Sequence, residues 1–508
     1  MNPATPYAVD LLVVGGGVNG AGIARDAAGR GLTVLLCDKG DLAGATSSAS
    51  SKLIHGGLRY LEFGELRLVR EALAEREVLL GIAPHLVRPA AFVLPHDRTL
   101  RPRWMLRLAL LLYDHLGRRR KLPASRRIDP RYDALGSPLR PDVTAAFVYA
   151  DCRVDDARLV IANARDAARR GARVMPRCEF LGAERSGEAW QVRLGDGSGA
   201  NFIVRARAIA NAGGPWAIEI ARRCGAAHGA AALRLVKGSH IVVPRLYMGE
   251  QAFLLQNDDR RVVFVLPFAQ EFSLIGTTEL PFEGDPAGVR CTDDEASYLC
   301  RAVNRWFAKP IAPQAIRWRF AGVRPLYEDH AANASAVTRD YVLLLDAGQG
   351  AAPLLSVLGG KITTYRRLAE HALERLAPHL PQPRGAWTSK EPLLGGDLPG
   401  GDPDAAAESL RKQYPWLEAG AAQRFVARYG SEAAAVLGGA QIAADLGAEF
   451  GPGLSAREVD WFCREEWAES ADDILWRRTK AGLGADDAAR ARLEAYLTSQ
   501  AAVARPRR

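Results

Sequence analysis

The stretch that most restricts the fold is DLLVVGGGVNGAGIARDAAGRGLTVLLCD, residues 10–38. Residues 10–17 open as a short apolar run fit for a strand buried on both faces. Residues 18–31 carry alanines at helical spacing and end in Arg-Gly, and 32–38 form a second apolar run closing on an acid. The segment therefore reads as one βαβ unit, and its turn is Gly15-x-Gly17-x-x-Gly20. Gly15 permits the tight turn, Gly17 lets a pyrophosphate approach the backbone, and Gly20 lets helix and strand pack closely. The helix N-terminus then faces the phosphates, and Asp38 is placed to accept hydrogen bonds from a ribose hydroxyl. Three spaced glycines alone are a weak signal. With the strand before, the helix after and the acid beyond, they indicate a bound dinucleotide.

A simple nicotinamide enzyme would continue with further βα units after Asp38. Instead the chain runs into GATSSASSKLIHGGLRY, residues 44–60, rich in hydroxyls and poor in core. Hydroxyls and amides at Thr46, Ser47, Ser48, Ser50 and Ser51 suit a pyrophosphate and a ribityl chain lying across the sheet's end, and Lys52 adds charge. The alternative is a solvated loop. Further on, LLSVLGGKITTYRRLAEHAL (354–373) reads as a strand, a Gly-Gly turn and a helix beginning at about Lys361. Free N–H groups at that helix start would face a ring carbonyl and developing negative charge, which suits a flavin.

At 508 residues the chain exceeds one compact core, so about two or three domains are expected. A helix is expected over 63–84, stopped by Pro84, and an αβ region from 155, capped by Asp155 or Asp156. Strands are expected near 172–180, 189–194 and 201–210. Residues 234–280 alternate apolar and polar, suggesting an antiparallel sheet with one covered face. GGDLPGGDPD (395–404) reads as a linker before an Ala-, Leu- and Arg-rich helical domain. The seven cysteines are scattered and form no CxxC pair, so reduced thiols are expected, with neither a disulfide framework nor a metal site. Net charge is +9, which favours anionic partners, although Arg richness also follows from genome composition. No basic segment precedes an apolar run at the start, so no secretory leader is expected.

The motifs VVGGGVNGAGIARDAAGRG, TSSASSKLIHGGLRYLE, NAGGPW, KGSHIVVPR, IGTTE, GVRPL, TRDY and GGKITTYR follow in this order. Together they resemble the FAD-dependent glycerol-3-phosphate dehydrogenases, and EEWAESADDILWRRTKAGL (465–483) is similar to that family's cap-domain signature. One departure is Asp38, where a Glu is common; either carboxylate can hold a ribose. The resemblance implies an α/β fold, with a Rossmann-like FAD-binding domain of the glutathione-reductase/D-amino-acid-oxidase type. That domain (about 1–62, 150–232 and 335–390) would interleave with a mixed antiparallel-sheet substrate domain (about 63–149 and 233–334). An all-α cap would follow from 391 to 508. The implied activity is oxidation of sn-glycerol 3-phosphate to dihydroxyacetone phosphate by non-covalently held FAD, with electrons passed to ubiquinone or menaquinone.

Such a substrate needs its phosphate held, its C2–H aimed at the flavin and its C2 hydroxyl deprotonated. Arg59, Arg324 and Arg339 are the candidate phosphate clamps, since a guanidinium offers paired donors. Lys361 would face flavin or substrate oxygens, with catalytic roles expected for Lys361 and Arg324, while Tyr60 and Thr363 orient the substrate. His55 and His240 are the candidate bases by their ordinary pKa, and His55 is favoured because Gly56 and Gly57 flank it beside the flavin loop. His240 is then a substrate-binding residue. The resemblance adds Leu53, Gly213, Gly360 and Ile362 to the residues lining the cofactor, with Lys361 and Thr363 touching it as well.

Residues 99–121, TLRPRWMLRLALLLYDHLGRRRK, hold an apolar segment at 104–113 bordered by basic residues. It is too short to span a bilayer but suits the interface with anionic lipid; the alternative is a helix packed on the core. The family's members are monotopic, which implies a cytoplasmic protein held on the inner face of the cytoplasmic membrane, and a homodimer is the family's usual state. An amino-acid oxidase of the same fold would need one Arg for a carboxylate, where this chain offers several cations. No aromatic cluster accompanies the C-terminal basic residues, so no nucleic-acid partner is expected.

Overall fold

The computed structural model describes residues 7–117, 122–197, 199–226, 233–259, 261–327, 340–348 and 350–504. The βαβ unit forms as read: strand Tyr7–Val14, helix Val18–Gly29 and strand Val34–Cys37. Its first strand lies at the centre of an eight-stranded sheet, pairing in parallel with Val34–Cys37 on one side and Asn201–Asn211 on the other. Leu354–Leu358 extends the sheet in parallel beyond Asn201–Asn211, and Arg173–Met175 extends it beyond Val34–Cys37. Alternate residues serve opposite faces. Leu11 and Val13 pack under the helices Val18–Gly29, Asp156–Arg169 and Tyr365–Leu376, while Leu12 and Val14 pack against Phe180, Trp190 and Val192. Burial on both faces is why this strand reads as an unbroken apolar run.

A second sheet of ten strands carries residues 234–280, but the expectation of one covered face is overturned. Ile241, Val243, Phe253, Leu255 and Ile275 face the helix Asp293–Asn304, where Leu299 and Val303 meet them. Val242, Leu254, Leu266 and Leu274 face the other way, against Phe92, Tyr149, Leu106 and Leu110. The polar residues that suggested alternation lie within the strand Leu233–Pro244 but are covered and partnered: Ser239 donates to Glu295 at 2.8 Å, Lys237 pairs with Glu295 at 2.7 Å, and His240 stacks on Phe320. The sheet also takes in the strands Val87–Pro95 and Ala146–Val154, so the domain break drawn at residue 150 falls inside a strand. Leu53–Ile54 joins its edge beside Cys152 and Arg153, which places the end of the hydroxyl-rich loop between the two sheets.

The expected helix at 63–84 is Leu66–Ile82, and Asp155 caps Asp156–Arg169 by accepting the Arg158 N–H at 3.2 Å. Residues 398–497 build a separate helical core around Phe425, Tyr429, Val436, Trp461 and Phe462. Buried ion pairs fasten it to the rest of the chain. Arg158 forks onto Glu466, Arg165 meets Glu432 at 2.5 Å, and Arg477 and Arg478 both grip Asp41. Arg477 and Arg478 end a π-helical turn, Asp473–Arg478, that also stacks Trp476 on Trp318 at 4.4 Å. All seven cysteines are free thiols.

Candidate active site

The glycine turn is built for close approach. Gly15 has φ +113°, and a Cβ there would lie 2.4 Å from the Ala212 carbonyl oxygen. A Cβ on Gly20 would lie 1.8 Å from the Gly15 oxygen, so the helix can meet the turn only without a side chain. Gly17 is the N-cap and offers no side-chain cap to the helix. No acid occupies that first turn, so its field is unopposed toward an anion. Asp38 accepts the Gly16 N–H at 2.6 Å and the Gly40 N–H at 2.7 Å. Burial raises its carboxyl pKa, and those two N–H groups offset the rise only in part. Across the sheet's end, Gly213 donates its N–H to Asn211 Oδ1, and Gly360 has φ +99° above the side chain of Asn19. Asn19 Oδ1 is buried without a hydrogen-bond partner among the described residues. A glycine cradle, a helix N-terminus free of acid and a spare acceptor fit a dinucleotide.

The hydroxyl-rich loop is divided among several tasks. Ser47 Oγ accepts the Val18 N–H at 3.0 Å, at the N-terminus of the dinucleotide helix. Thr46 donates to the Val323 carbonyl at 2.6 Å, Ser48 to the Ala45 carbonyl at 3.3 Å, and Ser50 to Asp156 at 2.7 Å. Ser51 Oγ lies 3.0 Å from His240 Nε2. Lys52, expected to add charge for the cofactor, turns inward: its ammonium meets both oxygens of buried Asp156 at 2.8 and 2.9 Å and the Ser48 carbonyl at 2.9 Å. Leu53 is buried. The loop is thus pinned from beneath by a charge the sequence suggested only as a helix cap.

His55 follows directly. Its backbone N–H donates to Thr363 Oγ1 at 3.2 Å, and its ring meets Phe264 edge-on at 6.2 Å. Burial, and then the charges of Lys361 and Arg76, lower its pKa to about 4, leaving the imidazole neutral at physiological pH. Arg76 was not foreseen; it reads as one more helix residue in a chain full of arginines. It pairs with buried Asp151 at 2.7 Å, Tyr113 donates to the same carboxylate at 2.7 Å, and the Gly56 N–H donates to Tyr113 at 2.8 Å. This network fixes the turn that carries His55.

His240 lies deeper. Its ring stacks on Phe320 at 4.9 Å, fills the space beside Gly276 and is almost wholly buried. Burial, then Lys52 and Arg324, push its pKa down to about 3. Lys361 sits just before the turn Ile362–Thr364, which precedes the helix proper at Tyr365, and its ammonium lies 3.8 Å from the Tyr60 ring centre. Arg59 and Arg324 come from separate elements yet share one carboxylate, Glu279, at 3.5 and 3.9 Å. Glu279 ends the IGTTE motif, and nothing in the sequence signalled that two arginines would reach it. Arg339 lies outside the described residues.

The fold and this site define an FAD-dependent oxidoreductase: residues 10–366 match the family described as FAD dependent oxidoreductase. Residues 386–503 match the C-terminal domain of alpha-glycerophosphate oxidase. A glycerol-3-phosphate dehydrogenase of Pseudomonas aeruginosa is 51% identical over 500 residues, covering 98% of this chain and 97% of that protein. D-erythritol 1-phosphate dehydrogenase of Brucella abortus is 48% identical, covering 96% of this chain and 97% of that one. In structure, a glycerol-3-phosphate dehydrogenase from Bacillus halodurans complexed with FAD superposes with a TM-score of 0.72 at 24% identity, covering 98% and 95% of the two chains. The chain belongs to the FAD-dependent glycerol-3-phosphate dehydrogenase family, and FAD is its cofactor.

Proposed function

We propose that the chain oxidises sn-glycerol 3-phosphate to dihydroxyacetone phosphate and passes the electrons on to ubiquinone or menaquinone in the membrane. The observation that carries this reading is the convergence of Arg59 and Arg324 on Glu279, with Arg59 next in the chain to Tyr60, whose ring meets the Lys361 ammonium. Two guanidiniums from different elements form a cradle for a phosphate group, whereas a carboxylate substrate needs one. Bound in the glycine cradle, FAD would supply the acceptor for the hydride from substrate C2. His55, neutral and fixed by Thr363, accepts the C2 hydroxyl proton as the carbonyl forms. Lys361 and Tyr60 orient the C2 oxygen, with the ammonium opposing the negative charge that develops there. Arg339 is the third proposed clamp on the phosphate. Gly15, Gly17, Gly20, Asp38, Ser47, Gly213 and Gly360 are proposed to line the non-covalently held cofactor.

A second reading concerns the substrate's length. The Brucella abortus relative is named for D-erythritol 1-phosphate, so the polyol beyond C2 is the part to test. A dye-linked assay of the flavin-loaded protein with both polyol phosphates decides it. Turnover with glycerol 3-phosphate at a kcat/KM well above that for erythritol 1-phosphate is expected, and the reverse order would replace the substrate named here.

We place the protein, as a homodimer, on the anionic inner face of the cytoplasmic membrane. Among the described residues no helix is long and apolar enough to cross a membrane. Helix Arg103–Leu116 instead has two apolar faces: Leu106, Leu110 and Tyr113 pack inward, while Trp104, Met105, Leu108, Leu111 and Leu112 lie exposed. An outward apolar stripe beside basic residues supports interfacial binding.

A further inference from the structure

Glu279 stands in the short connection between the strands Phe272–Gly276 and Leu280–Pro281. That connection is fixed from behind, because Thr278 Oγ1 accepts the Ser239 N–H at 2.9 Å and donates to buried Glu295 at 2.9 Å. Arg324 reaches Glu279 from the strand Trp318–Tyr327, across the strand Leu233–Pro244 that separates them. The crossing point is Gly238, where a Cβ would lie 3.6 Å from Arg324 Nη2 and 2.5 Å from Thr277 Oγ1. Arg59 arrives from the other side, in the turn Leu58–Phe63. All three side chains are partly open to solvent: 34% for Arg59, 36% for Glu279 and 45% for Arg324.

The distances decide what kind of contact this is. At 3.5 and 3.9 Å both pairs are longer than the roughly 2.7–2.9 Å of a locked charge-assisted hydrogen bond. The pair beneath the loop, Lys52 with Asp156 at 2.8 Å, is locked and buried. Glu279 is therefore a loosely held anion, lodged between the two cations proposed to take the substrate's phosphate.

We propose that Glu279 is an internal counter-ion, holding the arginine cradle between turnovers and yielding it to a phosphate monoester. A doubly charged phosphate outcompetes a single exposed carboxylate for two guanidiniums. The carboxylate's return then lowers the affinity for product and for inorganic phosphate alike, so the cradle empties after each turnover. This rests on the reading that Arg59 and Arg324 hold phosphate.

The test compares wild type with Glu279→Gln and Arg324→Met as flavin-loaded proteins, reading dissociation constants for inorganic phosphate and dihydroxyacetone phosphate from perturbation of the flavin spectrum. Glutamine keeps the length and a hydrogen-bonding oxygen but drops the charge. Glu279→Gln should bind both anions about tenfold tighter, the scale of two exposed ion pairs. A residue that merely positioned the arginines would give weaker binding on substitution, so unchanged or weaker affinity in Glu279→Gln overturns the proposal. Arg324→Met separates this from the underlying reading. If it binds both anions as wild type does, the arginine cradle is not the phosphate site; if it binds them weakly while Glu279→Gln fails to tighten, only the counter-ion proposal falls.

Discussion

The surroundings of His55, the proposed base, hold its ring in the neutral form, at some cost in basicity. An imidazole in water is half protonated near 6.5, but burial and the nearby charges of Lys361 and Arg76 lower this one to about 4. Its proton-accepting form is then the resting form at neutral pH, and the Thr363 contact fixes the loop that presents it. Replacement by asparagine should leave flavin content near normal and slow anaerobic flavin reduction by about a hundredfold or more. Stopped-flow reduction at the wild-type rate would remove His55 from the chemistry. The sequence made this residue legible through its flanking glycines, but not the reason for its state. Arg76 lies 21 residues away on a helix and is brought underneath by Asp151, 75 residues further on.

At the scale of elements, the hydroxyl-rich loop shows most clearly what a sequence can and cannot disclose. Its polarity suggested a ligand-facing loop, and Ser47 lies at the N-terminus of the helix Val18–Gly29. Lys52 looked the same in sequence as a phosphate-binding lysine, yet its partner Asp156 is 104 residues away and only folding brings them together. Both groups are nearly fully buried, so Lys52→Met strands a charge and should cost about 3–5 kcal/mol of unfolding free energy. Urea titration reads this directly; a loss below about 1 kcal/mol would mean the pair is solvated, as exposed pairs are. Helix Arg103–Leu116 teaches a related point. Its sequence offered either core or lipid contact, and the structure gives it an inner face and an outer one. Trp104 is 67% exposed and Leu108 57%, so Leu108→Glu should sharply reduce flotation with anionic liposomes while leaving the fold intact. Equal flotation of variant and wild type would exclude this helix as the lipid contact.

Across the whole molecule, the two sheets and the helical cap are clamped by buried charge, which makes stability sensitive to pH in a defined direction. His55, His85 and His240 have pKa values lowered to about 4, 3 and 3, so the folded protein keeps them neutral. In the unfolded chain they take up protons near 6.5. Through these three histidines the unfolded state binds more protons between about 6.5 and 3, a contribution that lowers stability as pH drops and outweighs the opposing one from the raised carboxyls of Asp26, Asp38, Glu75 and Asp151 in the upper part of that window. Urea midpoints across that range check this, and a midpoint that rises on acidification to about 5 would contradict it. The fold class was legible because the βαβ unit is local and its strand is buried on both faces. The second sheet was harder, since Lys237, Ser239 and His240 within the strand Leu233–Pro244 imitated an exposed face and its helix cover comes from residues 293–304. The cap's grip on Asp41 by Arg477 and Arg478 spans over four hundred residues and leaves no local trace. The cradle of Arg59 and Arg324 and the base His55 are proposed to serve a polyol phosphate. Anaerobic mixing of the flavin-loaded protein with glycerol 3-phosphate, and separately with sarcosine or D-alanine, tests it most directly. Rapid bleaching of the flavin by glycerol 3-phosphate alone is the predicted result; bleaching by either amino acid with none by the phosphate would contradict it.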